Sequence, residues 1–276
     1  MYTINCGGKL LVTDKPIVMG IINTTPDSFF KKSRKPAASE AVAQATAMLE
    51  AGAAIIDIGG QSTRPGASMI GAEEEGDRVV PAIQAIAAQF PGAIISIDTY
   101  HATVAKAAVK AGASVVNDIS GGLFDSDMLS VVGEMGVPYI CMHNKGNAAT
   151  MHKTPHYDNL LREVLDFFIE RIHVCKEAGI KDVIVDPGFG FAKTIAHNFE
   201  LLREISLLKM LDKPILLGIS RKSTIYKTLG ITAEEALNGT SVLHTIGLLN
   251  GANILRVHDV KEAIEVVKLV EAYHGK

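Results

Sequence analysis

The feature that most constrains this chain is an alternation of two unlike kinds of segment. Short β-branched runs at 17–23, 54–59, 93–98, 114–119, 138–142, 182–186, 214–218 and 252–257 read as strands. Helix-like runs separate them, at 39–51, 74–90, 101–111, 126–135, 157–178, 197–209 and 233–249, and 259–273 follows the last. Apolar residues in these recur at helical spacing, as with Ala41, Ala45, Met48 and Leu49. The strand runs are almost continuously apolar, the pattern of a parallel sheet buried on both faces. Gly52, Gly112, Gly179 and Gly251 fall just past helix ends, where a left-handed cap suits glycine. Eight βα units without a Pro/Ser-rich linker favour closure into a single (β/α)8 TIM barrel, an α/β domain spanning 1–276. Segments 1–5 and 9–12 around Gly7-Gly8 read as an N-terminal β-hairpin plugging the barrel bottom. A doubly wound open sheet shares the alternation and is the alternative.

A formal net charge of -3 supplies no broad basic field, so no nucleic-acid partner is expected. No run is long and apolar enough to suggest a bilayer span, and Met1 to Val12 does not read as a signal peptide. Cys6, Cys141 and Cys175 are odd in number and widely spaced, which points to reduced thiols and a cytoplasmic protein.

In a closed barrel the C-terminal strand ends face the active site. Those ends carry Asn23, Thr63-Arg64, Asp98, Asn117, Met142-His143, Asp186, Lys222 and the Arg256/His258 pair. Arg256 and His258 leave one face of the last strand, and Asp259 with Glu262 three residues on resembles a helix N-cap. Arginine, histidine and a helix N-terminus together suit an anion. Alternatively, Arg256 pairs with a neighbouring acid and His258 is an ordinary loop residue. Asp98 and Asp186 each close an apolar strand, and buried carboxylates need donors. With Asn117 they suit a flat heterocycle rich in N–H groups, or else a salt bridge to a barrel lysine.

Other motifs fail. Gly218-Ile-Ser-Arg-Lys-Ser223 echoes a phosphate-binding P-loop, but Arg221 stands where that motif needs glycine. Gly188-Phe-Gly-Phe-Ala-Lys193 lacks the third glycine of a dinucleotide fingerprint. His143, His152 and His156 read as solvated loop histidines rather than zinc ligands, because Pro155 breaks any helix there.

Several blocks together carry a family resemblance. Met19-Gly-Ile-Ile-Asn-Thr-Thr-Pro-Asp-Ser-Phe29 and Ile56-Asp-Ile-Gly-Gly-Gln-Ser-Thr-Arg-Pro-Gly66 resemble the two signatures of the dihydropteroate synthases. Ser96-Ile-Asp98, Asn117-Asp-Ile-Ser-Gly-Gly122, Asp186-Pro-Gly-Phe-Gly-Phe191, Gly218-Ile-Ser-Arg-Lys-Ser223 and Arg256-Val-His258 follow in family order. The resemblance implies a transferase of folate biosynthesis, a sulfonamide target and homodimer, that condenses a dihydropterin pyrophosphate with p-aminobenzoate. It implies that Asp98, Asn117, Asp186 and Lys222 hold the pterin, with Ile119 and Met142 lining its slot and Gly218 among its contacts. Asn23 would bind Mg2+, and Arg64, Arg256 and His258 would hold pyrophosphate. Phe29, Thr63, Pro65, Phe191 and Ser223 would shape the aminobenzoate site. The catalytic group would comprise Asp98, Lys222, Arg256, His258 and Arg64.

Two positions depart from the family pattern. Lys31 follows Phe29-Phe30 where an acid is usual, and Gln61 replaces the glutamate of the second signature. A pterin-binding methyltransferase barrel shares the Asp/Asn/Asp pocket, and an aldolase would use Lys222 as a Schiff base. A non-catalytic pterin binder is the reading outside catalysis. Val242, Leu243 and Ile246 are candidate dimer contacts, or else face the barrel.

Overall fold

The computed structural model describes residues 1–24, 34–61, 69–146 and 156–275, with backbone alone for 34–37. The chain opens with an antiparallel hairpin, β1 (Thr3–Cys6) and β2 (Lys9–Val12). Barrel strands follow as β3 (Ile17–Asn23), β4 (Ile55–Gly59), β5 (Ile94–Asp98), β6 (Val115–Asp118), β7 (Tyr139–Met142), β8 (Val183–Asp186), β9 (Leu216–Leu217) and β10 (Ile254–Val257). All pair in parallel in the order β8-β7-β6-β5-β4-β3-β10-β9. A parallel bridge between Val185 and Ile215 joins β8 to β9 and closes the ring, which removes the open-sheet alternative.

The helices are α1 (Arg34–Glu50), α2 (Ala72–Gln89), α3 (Ala102–Ala111), α4 (Met128–Met135), α5 (Leu160–Glu177), α6 (Ile195–Arg203), α7 (Ser223–Leu229), α8 (Leu237–Leu249) and α9 (Val260–Tyr273). Several stretches differ from the sequence expectation; α1 begins at Arg34, five residues before the expected run. The run at 197–209 is two pieces, α6 and a 3-10 helix at Ile205–Leu211. The run at 233–249 is shorter, since α8 begins at Leu237. Helix α7 has no counterpart in the sequence expectation, because seven residues are too few to display a clear amphipathic period. The four glycines past helix ends all take positive φ, from 86° to 121°.

Two kinds of core result. The larger packs the outward strand faces against the helices. The smaller lies inside the barrel and draws on every barrel strand: Met19, Ile55, Ile94, Val115, Ile140, Ile184, Leu216 and Ile254, with Ile17 below. Ile4, Cys6 and Leu11 of the hairpin pack into it, so the hairpin is the expected plug. Leu243 of α8 is buried and faces the barrel, whereas Val242 and Ile246 are exposed.

Candidate active site

Side chains two apart on a strand share a face. Stepping two residues up from the apolar floor therefore gives the next inward layer: Ile21, Asp57, Ser96, Asn117, Met142, Asp186, Gly218 and Arg256. Another step adds Asn23, Gly59 and Asp98, then Ile119 and His258 just past their strands. The interior changes from hydrocarbon to acid, amide and base within one layer, and that change places the site at the C-terminal mouth.

Arg256 organises the middle of the barrel. Its Nε donates to Asp57 Oδ2 at 2.7 Å, and its Nη2 reaches Asp98 Oδ2 at 2.5 Å and Asp57 Oδ2 at 2.6 Å. Asn117 Nδ2 donates to the same Asp57 oxygen at 3.2 Å. Arg256 thus pairs with neighbouring acids, as the plainer sequence alternative had it. Its Nη1 group takes no acceptor among the described residues, and 19% of the side chain is exposed. Burial works against the guanidinium charge, but Asp57 and Asp98 outweigh it and hold Arg256 above the ordinary arginine range. Burial raises the Asp98 carboxyl, Arg256 opposes the shift, and Asp57 and Asp118 reinforce it.

Asp186 is also lifted by burial, against the pull of Lys222 and the Gly188 N–H, which donates to its Oδ1 at 2.7 Å. A side chain at Gly218 would begin 3.4 Å from Asp186 Oδ2, so the glycine leaves that oxygen open. Lys222 donates to the Phe189 carbonyl and lies 4.4 Å over the Phe191 ring. Burial pulls its ammonium down to about 8, although Asp186 favours the charge. Ile119, Met142 and Phe191 meet in one apolar cluster with Tyr100 and Phe124, forming a wall of the mouth. Ser223 begins α7 beside Lys222. In the neighbouring loop after β10, His258 Nδ1 lies 3.1 Å from Ser220 Oγ.

Some expectations need correction. Asp259 occupies the N-cap position of α9 but makes no side-chain cap; Arg221 takes its carboxylate instead. His143 is not a solvated loop histidine. It is 3% exposed, and Lys193 Nζ sits 2.9 Å from its Nδ1. Burial and Lys193 hold the imidazole well below its usual range, and burial lowers Lys193 itself to about 7. His156 is exposed beside Asp158. Phe29, Lys31, Thr63, Arg64, Pro65 and His152 lie outside the described residues. Gln61 accepts from the Tyr100 hydroxyl at 3.1 Å.

The sequence reading missed Asp57, the acid that Arg256 and Asn117 share. Its signal was its place two residues above Ile55. Asp118 was missed too. It accepts from Tyr139 Oη, Ser120 N and Ser120 Oγ, each at 2.7 Å, and so shapes the turn carrying Ile119. Among the described residues no group of three or more His, Cys, Asp or Glu could hold a metal. Any metal here would lean on an amide, water and substrate oxygens.

Known proteins share this sequence and this fold. The sequence profile of the family described as pterin binding enzyme matches residues 19–258. Dihydropteroate synthase of Escherichia coli (strain K12) is 43% identical over 267 residues, 96% of this chain and 94% of that protein. Among solved structures, Xanthomonas albilineans dihydropteroate synthase with 4-aminobenzoic acid superposes with a TM-score of 0.92 at 38% identity, covering 99% of this chain and 98% of that one. Yersinia pestis dihydropteroate synthase in a sulfonamide drug complex gives 0.93 at 38% identity, covering both chains fully at 100%.

Proposed function

This chain belongs to the pterin-binding enzymes, as one of their dihydropteroate synthases, and on that premise we propose how its barrel mouth divides the work. It is a transferase of folate biosynthesis. Its reaction joins 6-hydroxymethyl-7,8-dihydropterin pyrophosphate to p-aminobenzoate, giving 7,8-dihydropteroate and pyrophosphate. The whole chain, 1–276, acts as one domain.

The observation that carries the site assignment is the Asp57–Arg256–Asp98 chain, set beside Asn117, Asp186 and Lys222. Asp186, Asn117, Asp98 and Lys222 bind the pterin edge, and the open Asp186 oxygen above Gly218 accepts from its N–H groups. Ile119 and Met142 line the ring's flat face. The remaining Nη1 donors of Arg256, together with His258 and Arg64, receive pyrophosphate. Phe191 and Ser223, with Phe29, Thr63 and Pro65, shape the p-aminobenzoate site, which sulfonamides would share.

In the reaction, the pterin CH2–O bond breaks and its electron pair leaves on pyrophosphate. The methylene is left cationic, and Asp98 stabilises that charge without forming a bond to it. The aminobenzoate nitrogen then bonds to the methylene and loses a proton to solvent. No protein nucleophile takes part.

Mg2+ fits the oxygen donors present. Asn23 Oδ1 lies 3.8 Å from where a side chain on Gly59 would begin, so one hard amide oxygen faces that space, while the nearby Asp98 Oδ2 is already taken by Arg256. Asn23 would hold the ion, whose charge would offset that of pyrophosphate.

Exposed Val242, Ile246 and Leu249 on α8 support a homodimer through that helix. The buried free thiols of Cys6, Cys141 and Cys175 support a reducing, cytoplasmic setting. No helix among the described residues is long and apolar enough to cross a membrane.

The test is pyrophosphate release on mixing the purified protein with both substrates. Release should match dihydropteroate formed, mole for mole. No release, or borohydride trapping of substrate on Lys222, would overturn the assignment.

A further inference from the structure

The P-loop echo at 218–223 breaks at Arg221, and that residue has an unusual backbone. Its φ is +53°, the left-handed region that glycine enters freely and L side chains avoid. Its side chain is fully engaged there. Its guanidinium forks onto Asp259, with Nε to Oδ2 at 2.7 Å and Nη2 to Oδ1 at 2.9 Å. Nη1 donates to the carbonyls of Ala233 at 3.0 Å and Glu234 at 2.5 Å. The Arg221 N–H donates to Thr240 Oγ1 at 3.1 Å. One residue earlier, Ser220 Oγ accepts from the His258 N–H at 3.3 Å.

These bonds stitch the loop after β9 to the loop after β10 at adjacent points. One loop carries Lys222 and Ser223, and the other follows Arg256 and carries His258. We propose that Arg221, through its fork onto Asp259, is a positioning residue that fixes the spacing between the pterin–aminobenzoate end of the site and its pyrophosphate end. The proposal rests on the assignment of Arg256 and His258 to pyrophosphate. The pair is partly exposed, with 23% and 22% of the two side chains accessible, so its contribution to stability is small and its contribution to geometry is the larger one. Bond breaking here needs the leaving oxygen seated in its anion site, and capture of the cation needs the amine held facing the methylene. A misplacement of one ångström can cost on the order of a hundredfold in rate.

Three variants separate the parts. Arg221→Gly keeps the backbone free to stay left-handed, Arg221→Lys keeps the charge without the fork, and Asp259→Asn keeps the shape without the charge. Steady-state kinetics should show kcat/KM for the pterin pyrophosphate falling by at least about tenfold in all three. Calorimetry should show inorganic pyrophosphate binding weakened, while a hydroxymethylpterin without the diphosphate binds within about twofold of wild type. The Arg221→Gly/Asp259→Asn double variant should lose no more than its worse single parent. Wild-type kcat/KM in Arg221→Gly overturns the proposal, and so does an equal loss of pterin and pyrophosphate affinity, which marks a collapsed loop. If the glycine variant does not fold, Asp259→Asn carries the same decision alone. His258→Ala tests the underlying assignment separately: unchanged pyrophosphate affinity there removes the anion site, whatever the Arg221 variants do.

Discussion

Glu75→Gln should stabilise the protein at alkaline pH and change it far less at acid pH. Glu75 lies on α2 with 1% of its surface exposed, and its Oε2 accepts from Thr99 Oγ1 at 2.7 Å. Arg78, one turn along, spends its donors on the Gly60 carbonyl and Glu74. Burial therefore raises the carboxyl from 4.5 to about 7; the Thr99 bond and Arg78 oppose the shift, and Asp98 adds to it. A carboxyl raised on folding holds its proton more tightly in the native state, so its favourable contribution is complete below the unfolded value. That contribution fades as pH rises towards 7 and is gone above it. A gap of about 2.5 pH units, at about 1.4 kcal/mol each, implies a loss of about 2.5 kcal/mol in the wild type between about pH 5 and pH 8.5. Glutamine keeps the shape and an acceptor for Thr99 but cannot ionise. Urea unfolding at both pH values should show the variant gaining by about that amount at the alkaline end. Parallel pH profiles, agreeing within about 0.5 kcal/mol, would refute the reasoning, since Glu75 would then titrate as an ordinary carboxylate.

Asp186→Asn should weaken pterin binding by about 1.5–3 kcal/mol, roughly ten- to a hundredfold, because a charged acceptor is lost. Unchanged affinity in calorimetry with an intact fold would make that acid structural. Asp57→Asn removes one anchor of Arg256 inside a largely buried pair and should cost about 3 kcal/mol in urea unfolding, with kcat falling as well. A cost below about 1 kcal/mol would show that Asp98 alone holds the guanidinium. With Lys222 near 8, the ammonium is lost as pH rises through that value, so kcat/KM should fall on the alkaline side. Lys222→Arg cannot deprotonate there, and an alkaline limb persisting unchanged in that variant would assign it to another group.

The fold was legible because its signal is long-range and periodic. Eight alternations and glycines past the helix ends report the barrel whatever the details of each strand, and β3 even kept its bounds at 17–23. Short elements were less legible: α7 has too few residues to show a face. The strand-end residues Asp98, Asn117, Asp186 and Arg256 are legible because each polar group interrupts an apolar run, whereas Met142 stands out only by its strand-end place and the family resemblance. Asp57 interrupts one too, in Ile-Ile-Asp-Ile-Gly, but it lies mid-strand, below the rim that the strand ends mark. Only the inward alternation from Ile55 shows that it faces Arg256. His143 misled for the opposite reason. Its loop position suggested solvent, yet Phe167 and Phe168 pack around it and Lys193 closes over its nitrogen.

The buried groups of this site are mostly pushed towards neutrality. Burial lifts Asp98 and Asp186 and draws down Lys222 and Lys193, so each holds its charge against a desolvation cost. Arg256 is the exception, pinned positive by Asp57 and Asp98. That asymmetry suits a reaction that separates charge within the substrate. Under the proposed assignment, an arginine fixed in its positive state would give a departing pyrophosphate a constant partner, needing no proton transfer at that moment. The carboxylates beside it already share Arg256, so a pterin cation formed near Asp98 meets a group whose charge is only partly neutralised. Asp57 Oδ1 and the neighbouring Ser96 Oγ, paired in register across β4 and β5, have no partner among the described residues. The apolar floor below excludes the water that would otherwise screen both charges. The same layering that makes the barrel stable at its base therefore concentrates its electrostatics at the mouth, where the bond breaks.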